Sequence, residues 1–225
     1  MKLQPFETVT GAAPYLSRVN IDTDVIIRIE HLTALEKDQL GPYAMEALRF
    51  RAEGSEDPCC VLNQAVFRNA PILVAGQNFG CGSSREAAVW ALQCMGVRCV
   101  IAPSFGEIFF NNCFQNGVLP IRLPAAEVEA IGGACASGEP MTVDLRAQTL
   151  RIPRGRSVTF SVDAVRREGL LRGLDDIGLT LQHDDSVRHW QDKDRIARPW
   201  AWPEHEDASR EAPPVRPVVR VVPIA

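Results

Sequence analysis

Residues 72–102 read ILVAGQNFGCGSSREAAVWALQCMGVRCVIA. Ile72 to Ala75 is a short, wholly apolar run bounded by a glycine, the pattern of a strand buried on both faces. Glycines follow at 76, 80 and 82, then Ser83, Ser84, Arg85 and Glu86. From Ser84 to Met95 the apolar residues take helical spacing, and Gly96 supplies a stop. Arg98 to Ile101 is a second apolar run of strand length. A strand, a glycine-rich turn, a helix and a strand in that order make a unit whose strands run parallel.

The alternation continues outward. Phe105 to Gln115 reads as a helix and Leu119 to Ile121 as a further short strand, which predicts a parallel α/β core. Upstream, Phe6 to Thr10 reads as a strand and NIDTD at 20–24 as a polar turn. Lys37 to Phe50 fits a helix interrupted near Gly41-Pro42, and RAEGSEDPCC at 51–60 reads as an exposed loop. From about residue 140 polar and apolar residues alternate across two turn regions, as in a small β-meander. Ser161–Leu171 and Thr180–Trp190 are the last expected helices. A folded domain over 1–190 is therefore expected, followed by a tail over 191–225 that is extended or disordered; residues 192–225 hold six of the chain's 16 prolines. The VVRVV segment inside that tail carries an alternative reading as an added edge strand or a docking piece.

Bulk composition narrows the function classes. The chain has 225 residues, 46% of them hydrophobic and 23% charged, with a net charge of −4, so it can bury a full core but offers no basic surface for nucleic acid. No apolar run approaches the ~18 residues a membrane helix requires, and the N-terminal residues carry no signal-peptide core, which places the protein in the cytoplasm. The seven cysteines stand at 59, 60, 81, 94, 99, 113 and 135 without any C-x-x-C pair. An odd count argues against a disulfide framework, and the missing pair argues against a resident metal or cluster. Most are expected to be small apolar core residues. Cys81 is set apart by its place in the turn.

The turn itself invites chemistry. Ser83 and Glu86 form S-x-x-E, a capping box ahead of the helix. Gly76, Gly80 and Gly82 let the backbone turn tightly and approach a ligand. Free amides at a helix N-terminus favour an anion, and the planar fork of Arg85 grips a carboxylate at two points. No lysine completes a phosphate-binding loop, so a small carboxylate is as natural a guest as a phosphate. Ser84 beside Arg85 would have its alkoxide stabilised electrostatically. It sits in no G-x-S-x-G elbow, and the histidines at 31, 183, 189 and 205 offer it no obvious triad partner. Proton abstraction thus suits it better than acyl transfer.

Other segments accompany NFGCGSSRE at 78–86: NIDTDVII at 20–27, VIAPSFGEIFFNN at 100–112, GVLPIRL at 117–123 and DDIGLTLQHDD at 175–185. In order and spacing these resemble the aconitase superfamily and, within it, the family of 3-isopropylmalate dehydratase small subunits. The resemblance implies a swivelling β/β/α domain that forms half of an enzyme. A separate large subunit would hold a [4Fe–4S] cluster, with none on this chain. Together they would interconvert 2- and 3-isopropylmalate by dehydration and rehydration in leucine biosynthesis. It also implies roles: Ser84 as base, Arg85 with Ser83 and Gly82 on a substrate carboxylate, and Asp24 orienting neighbouring charges. Without the resemblance Asp24 reads equally as an Asx turn or a cap.

The sequence departs from the family at two places. Ala87 stands where the family usually has histidine after Arg-Glu. After Asp24, the stretch Arg28-Ile29-Glu30-His31-Leu32 lacks the usual proline and aromatic, and residues 33–50 lack the glycine-rich run. Ile29, Leu32 and Leu35 would line a pocket for an isopropyl group. Arg28 and His31 would instead face a more polar substrate. Alternatives are therefore a paralogous dehydratase for another 2-hydroxy diacid (dimethylmalate, citraconate or a homocitrate-like acid) and a catalytically inactive binding module.

Overall fold

A computed structural model of the chain describes residues 3–83 and 85–202. The described chain divides into one unit ending at Gln182 and a second beginning at His183.

In the first unit the parallel layer is set by apolar runs. Strands β1 (Thr8–Gly11) and β2 (Tyr15–Leu16) lead to the short helices α1 (Thr23–Ile26), α2 (Ile29–Ala34) and α3 (Glu46–Arg49). Strand β3 (Ile72–Ala75), helix α4 (Ala87–Cys94), strand β4 (Cys99–Ala102), helix α5 (Glu107–Gln115) and strand β5 (Leu119–Arg122) follow. The sheet order is β2-β3-β4-β5, parallel throughout, with Ile72 opposite Cys99 and Cys99 opposite Leu119. Helix α6 (Ala125–Cys135) leads into an antiparallel sheet of β6 (Met141–Asp144), β7 (Thr149–Arg151) and β8 (Ser157–Thr159), joined at its edge by β1 in the order β1-β6-β7-β8. Helices α7 (Ala164–Arg172) and α8 (Asp176–Leu181) close the unit.

The all-apolar character of β3 and β4 has a direct cause: their side chains alternate between two cores. Leu73, Ala75, Val100 and Ala102 face a cluster with Ala88, Val89 and Leu92 of α4 and Ile26 of α1. Ile72, Val74, Cys99 and Ile101 face a cluster with Val128 and Ile131 of α6 and with Met141, Val143 and Leu150 of the antiparallel sheet. Each fully buried aliphatic side chain contributes about 1.5–3 kcal/mol. The mixed α/β fold with two sheets matches the swivel-domain expectation.

Besides the helix expected over Thr180–Trp190, which breaks between Leu181 and Asp184, two expectations change. Residues 37–50 do not form one broken helix but 3-10 turns at Lys37–Gln39 and Gly41–Tyr43, then α3. Pro42 withholds an amide, and Met45 adopts a left-handed conformation at φ 57°, so the helical ladder cannot run through. The second change lies at the expected tail. In the second unit α9 runs from Asp184 to Ala197, so residues 191–197 are helical rather than extended. Acidic residues in its first turn, Arg195 in its last, and i,i+4 pairs Arg188–Asp184 (2.8 Å) and Arg198–Asp194 (2.7 Å) support it until Pro199. Trp202 folds back to donate its indole N–H to Asp194 at 2.9 Å. The VVRVV segment lies outside the described residues.

Candidate active site

The loops that leave the carboxyl ends of β2, β3 and β4 meet and satisfy one another's backbone groups. The Asn20 amide donates to the Gln77 carbonyl (2.9 Å), Gly80 to Ile21 (2.7 Å) and Thr23 to Cys81 (3.0 Å). From the third loop Ser104 receives the Asn78 amide on its hydroxyl (2.9 Å) and the Phe79 amide on its carbonyl (3.0 Å), and Gly106 donates to Phe79 (2.9 Å). Asn20 and Asn78 both hold positive φ, a conformation asparagine tolerates, and their side chains bond each other at 2.8 Å. Gly106 packs flat on Gly80: a Cβ there would overlap the Gly80 carbonyl oxygen. This edge of a parallel sheet is where such folds place ligands.

On that platform α1 presents Asp24. The helix is capped not by Asp24 but by Asp22, whose carboxylate receives the Val25 amide at 2.8 Å. Asp24, freed from capping, lies exposed in the first turn, and its Oδ1 receives Nη1 of Arg85. The Arg85 side chain is 19% exposed and that of Asp24 54%, so the guanidinium is largely sheltered while the carboxylate faces out. Beside them the buried Thr23 donates its hydroxyl to the Ser83 carbonyl at 2.9 Å, tying α1 to the turn. Gly82 passes Asp22 at φ +87°, a conformation that would strain other residues. Asp24, Gly82, Ser83 and Arg85 are thus brought together. Ser84 lies outside the described residues.

The expected Ser83–Glu86 capping box is replaced by another arrangement. Helix α4 begins at Ala87, and the Glu86 carboxylate accepts from the Asn116 amide nitrogen at 2.7 Å. Asn116 is buried, and its side chain also receives Trp90 Nε1 (2.9 Å) and Lys37 Nζ (3.3 Å). A buried amide with all its capacity met thus holds the Glu86 carboxylate in place of the turn. Asn116 carries no local signal of this role, since its partner is 30 residues away.

Arg28 and His31 form a separate cluster. Both converge on Glu46, Arg28 Nε at 3.1 Å from Oε1 and His31 Nε2 at 2.9 Å from Oε2. The imidazole also stacks on Tyr43, ring centroids 4.1 Å apart. One carboxylate thus holds both side chains. Leu32 and Leu35 pack partly buried against the core, while Ile29 is exposed. Sequence reading missed Glu46 because an interrupted helix over 37–50 gave it no special position.

Among the described residues no three or more His, Cys, Asp or Glu side chains form a group that could hold a metal ion. Burial pushes the thiols of Cys99 and Cys113 well up and that of Cys135 up to about 11, so they stay protonated and serve as core. Among the same residues no helix is long and apolar enough to cross a membrane.

Comparison with known proteins adds a consistent set of likenesses. Residues 3–126 match the family described as the aconitase C-terminal domain, and residues 176–201 match the C-terminal domain of the 3-isopropylmalate dehydratase small subunit. The small subunit of 3-isopropylmalate dehydratase from Rhodospirillum centenum is 49% identical over 201 residues, covering 88% of this chain and 99% of that protein. The one from Rhodospirillum rubrum is 47% identical over 200 residues, covering 88% and 97%. A crystal structure of 3-isopropylmalate dehydratase from Methanocaldococcus jannaschii superposes with a TM-score of 0.61 at 26% identity, covering 82% of this chain and 99% of that one.

Proposed function

Because the chain belongs to the family of 3-isopropylmalate dehydratase small subunits, we propose that it works with a large subunit to isomerise 2-isopropylmalate to 3-isopropylmalate in leucine biosynthesis. The observation that carries the reading is the pairing of Asp24 with the sheltered Arg85 on a platform of interlocked loops. An arginine oriented by one carboxylate, with part of its fork left over, is pre-set to receive a second carboxylate from a substrate.

The proposed roles are these. Arg85 binds a substrate carboxylate, assisted by Ser83 and the backbone at Gly82. Asp24 fixes the direction of the guanidinium. Ser84, next to Arg85 in the chain, removes the proton from the carbon adjacent to that carboxylate and returns a proton in the hydration step. Such a carbon acid is very weak, so positive charge beside the developing anion is what makes abstraction feasible. A [4Fe–4S] cluster on the large subunit would supply the Lewis acid for the departing hydroxyl. The Glu46 clamp on Arg28 and His31 favours a substrate with a neutral branch over one with an extra charge.

The test is co-expression with a large subunit, anaerobic iron–sulfur reconstitution, and turnover of isopropylmalate, dimethylmalate, citraconate and citrate. Activity on isopropylmalate supports the reading; activity confined to another diacid, or no complex with a large subunit, refutes it. Ser84→Ala should assemble normally yet lose turnover and exchange of the substrate proton with solvent. Normal turnover in that variant would remove Ser84 as the base.

A further inference from the structure

The proposed site at Asp24 and Arg85 binds carboxylates, yet the substrate's third substituent also needs a place. Arg28 follows Asp24 by four residues, so their Cα atoms lie within about 14 Å of each other. The link is stiff: Ile26, in α1 with Asp24, receives the Met45 amide at 2.8 Å, one residue before Glu46. Next to this link opens a cleft of about 510 Å³ whose lining includes Arg28, Tyr43, Glu46, Phe50 and Arg51. Its charges cancel locally. Glu46 spans Arg28 and His31, and Arg51 is paired with Asp57 at 3.6 Å. The arginines that border the cleft thus both have carboxylate partners, and its walls otherwise offer Tyr43, Phe50, Ala47 and Pro42.

We propose that Glu46 is a specificity-determining residue: by holding Arg28 and His31 it keeps this cleft neutral, so that it accepts an uncharged branched substituent and rejects a carboxylate-bearing one. The inference rests on the carboxylate site proposed at Asp24 and Arg85. A cleft with an unpaired arginine attracts a third carboxylate. The same cleft with Glu46 in place repels it, because a new anion must compete with Glu46 for Arg28. Glu46 acts here through Arg28 and His31, without contact to reacting atoms.

The test uses the complex with the large subunit, reconstituted anaerobically, and compares 2-alkylmalates with citrate, which carries carboxymethyl where 2-isopropylmalate carries isopropyl. Glu46→Gln should raise the ratio of kcat/KM for citrate over the alkylmalate by about tenfold or more, chiefly through KM. Glu46→Asp should restore the original preference in part, and Arg28→Ala added to Glu46→Gln should erase the gain. A merely structural role for Glu46 would lower both activities together and leave the ratio fixed, which overturns the proposal. Failure of the underlying reading is distinguishable: the wild-type complex would then turn over none of these acids, and both ideas fall together.

Discussion

Replacing Asp24 by Asn separates stability from catalysis at the proposed site. The change keeps the side chain's shape and one hydrogen-bond acceptor but removes the charge that faces Arg85. The Asp24 side chain is 54% exposed, so solvent already screens most of the pair's Coulomb energy. A pair of this exposure contributes at most about 1 kcal/mol to folding, which for a domain of this size is a fall in Tm of about 2–4 °C. The catalytic cost should be far larger. Without its counter-charge the Arg85 fork swings, and a misplacement of about 1 Å near reacting groups costs on the order of 100-fold. Calorimetry of the chain, with kcat and KM of the reconstituted complex, measures the two effects side by side. A variant with unchanged kcat/KM would refute the site. A collapse in Tm matching the loss of activity would make the pair a structural strut.

Other outcomes bear on the scaffold. Gly106→Ala should cost about 3 kcal/mol or more in urea denaturation, because the added methyl meets the Gly80 backbone rather than a yielding side chain, and activity should fall with it. The buried thiols give stability a pH dependence. Their folded values lie above the unfolded ~8.5, so the folded chain keeps protons that the unfolded chain loses, and their contribution is complete below ~8.5. Above that it declines by about 1.4 kcal/mol per pH unit for each thiol. For Cys135 the decline continues up to about 11. Urea midpoints at pH 8 and pH 10 should show the drop, and Cys135→Ala should flatten part of that slope.

What the residues disclosed in advance depended on how local their constraints were. Strands β3, β4 and β5 were legible because burial on both faces leaves unbroken apolar runs. The two residues of β2 carry no such run, and their pairing with β3 is set by the neighbouring strand. At the candidate site, the grouping of Arg85, Gly82 and Ser83 was legible from one dense motif. Asp24 was ambiguous because NIDTD offers two aspartates that compete to cap one helix, and only the fold assigns that task to Asp22. Glu46 and Asn116 were invisible for a further reason: each owes its role to partners brought together by tertiary packing, Arg28 with His31 in one case and Glu86 with Lys37 in the other. Residues 191–197 were less legible, because the prolines from Pro199 onward dominate the composition of that stretch while its charges favour a helix.

The edge pairing of β1 with β6 imposes an order in time on the newborn chain. Gly11 sits opposite Met141, so β1 is synthesised long before the strand it pairs with. At usual translation speeds the wait is on the order of 10 s. Over the same interval β3, β4 and β5 emerge with their helices and can zip in sequence. The glycine-rich turn after β3 belongs to that early part, whereas the sheet that seals the other core face arrives late, and β1 must stay unpaired until then.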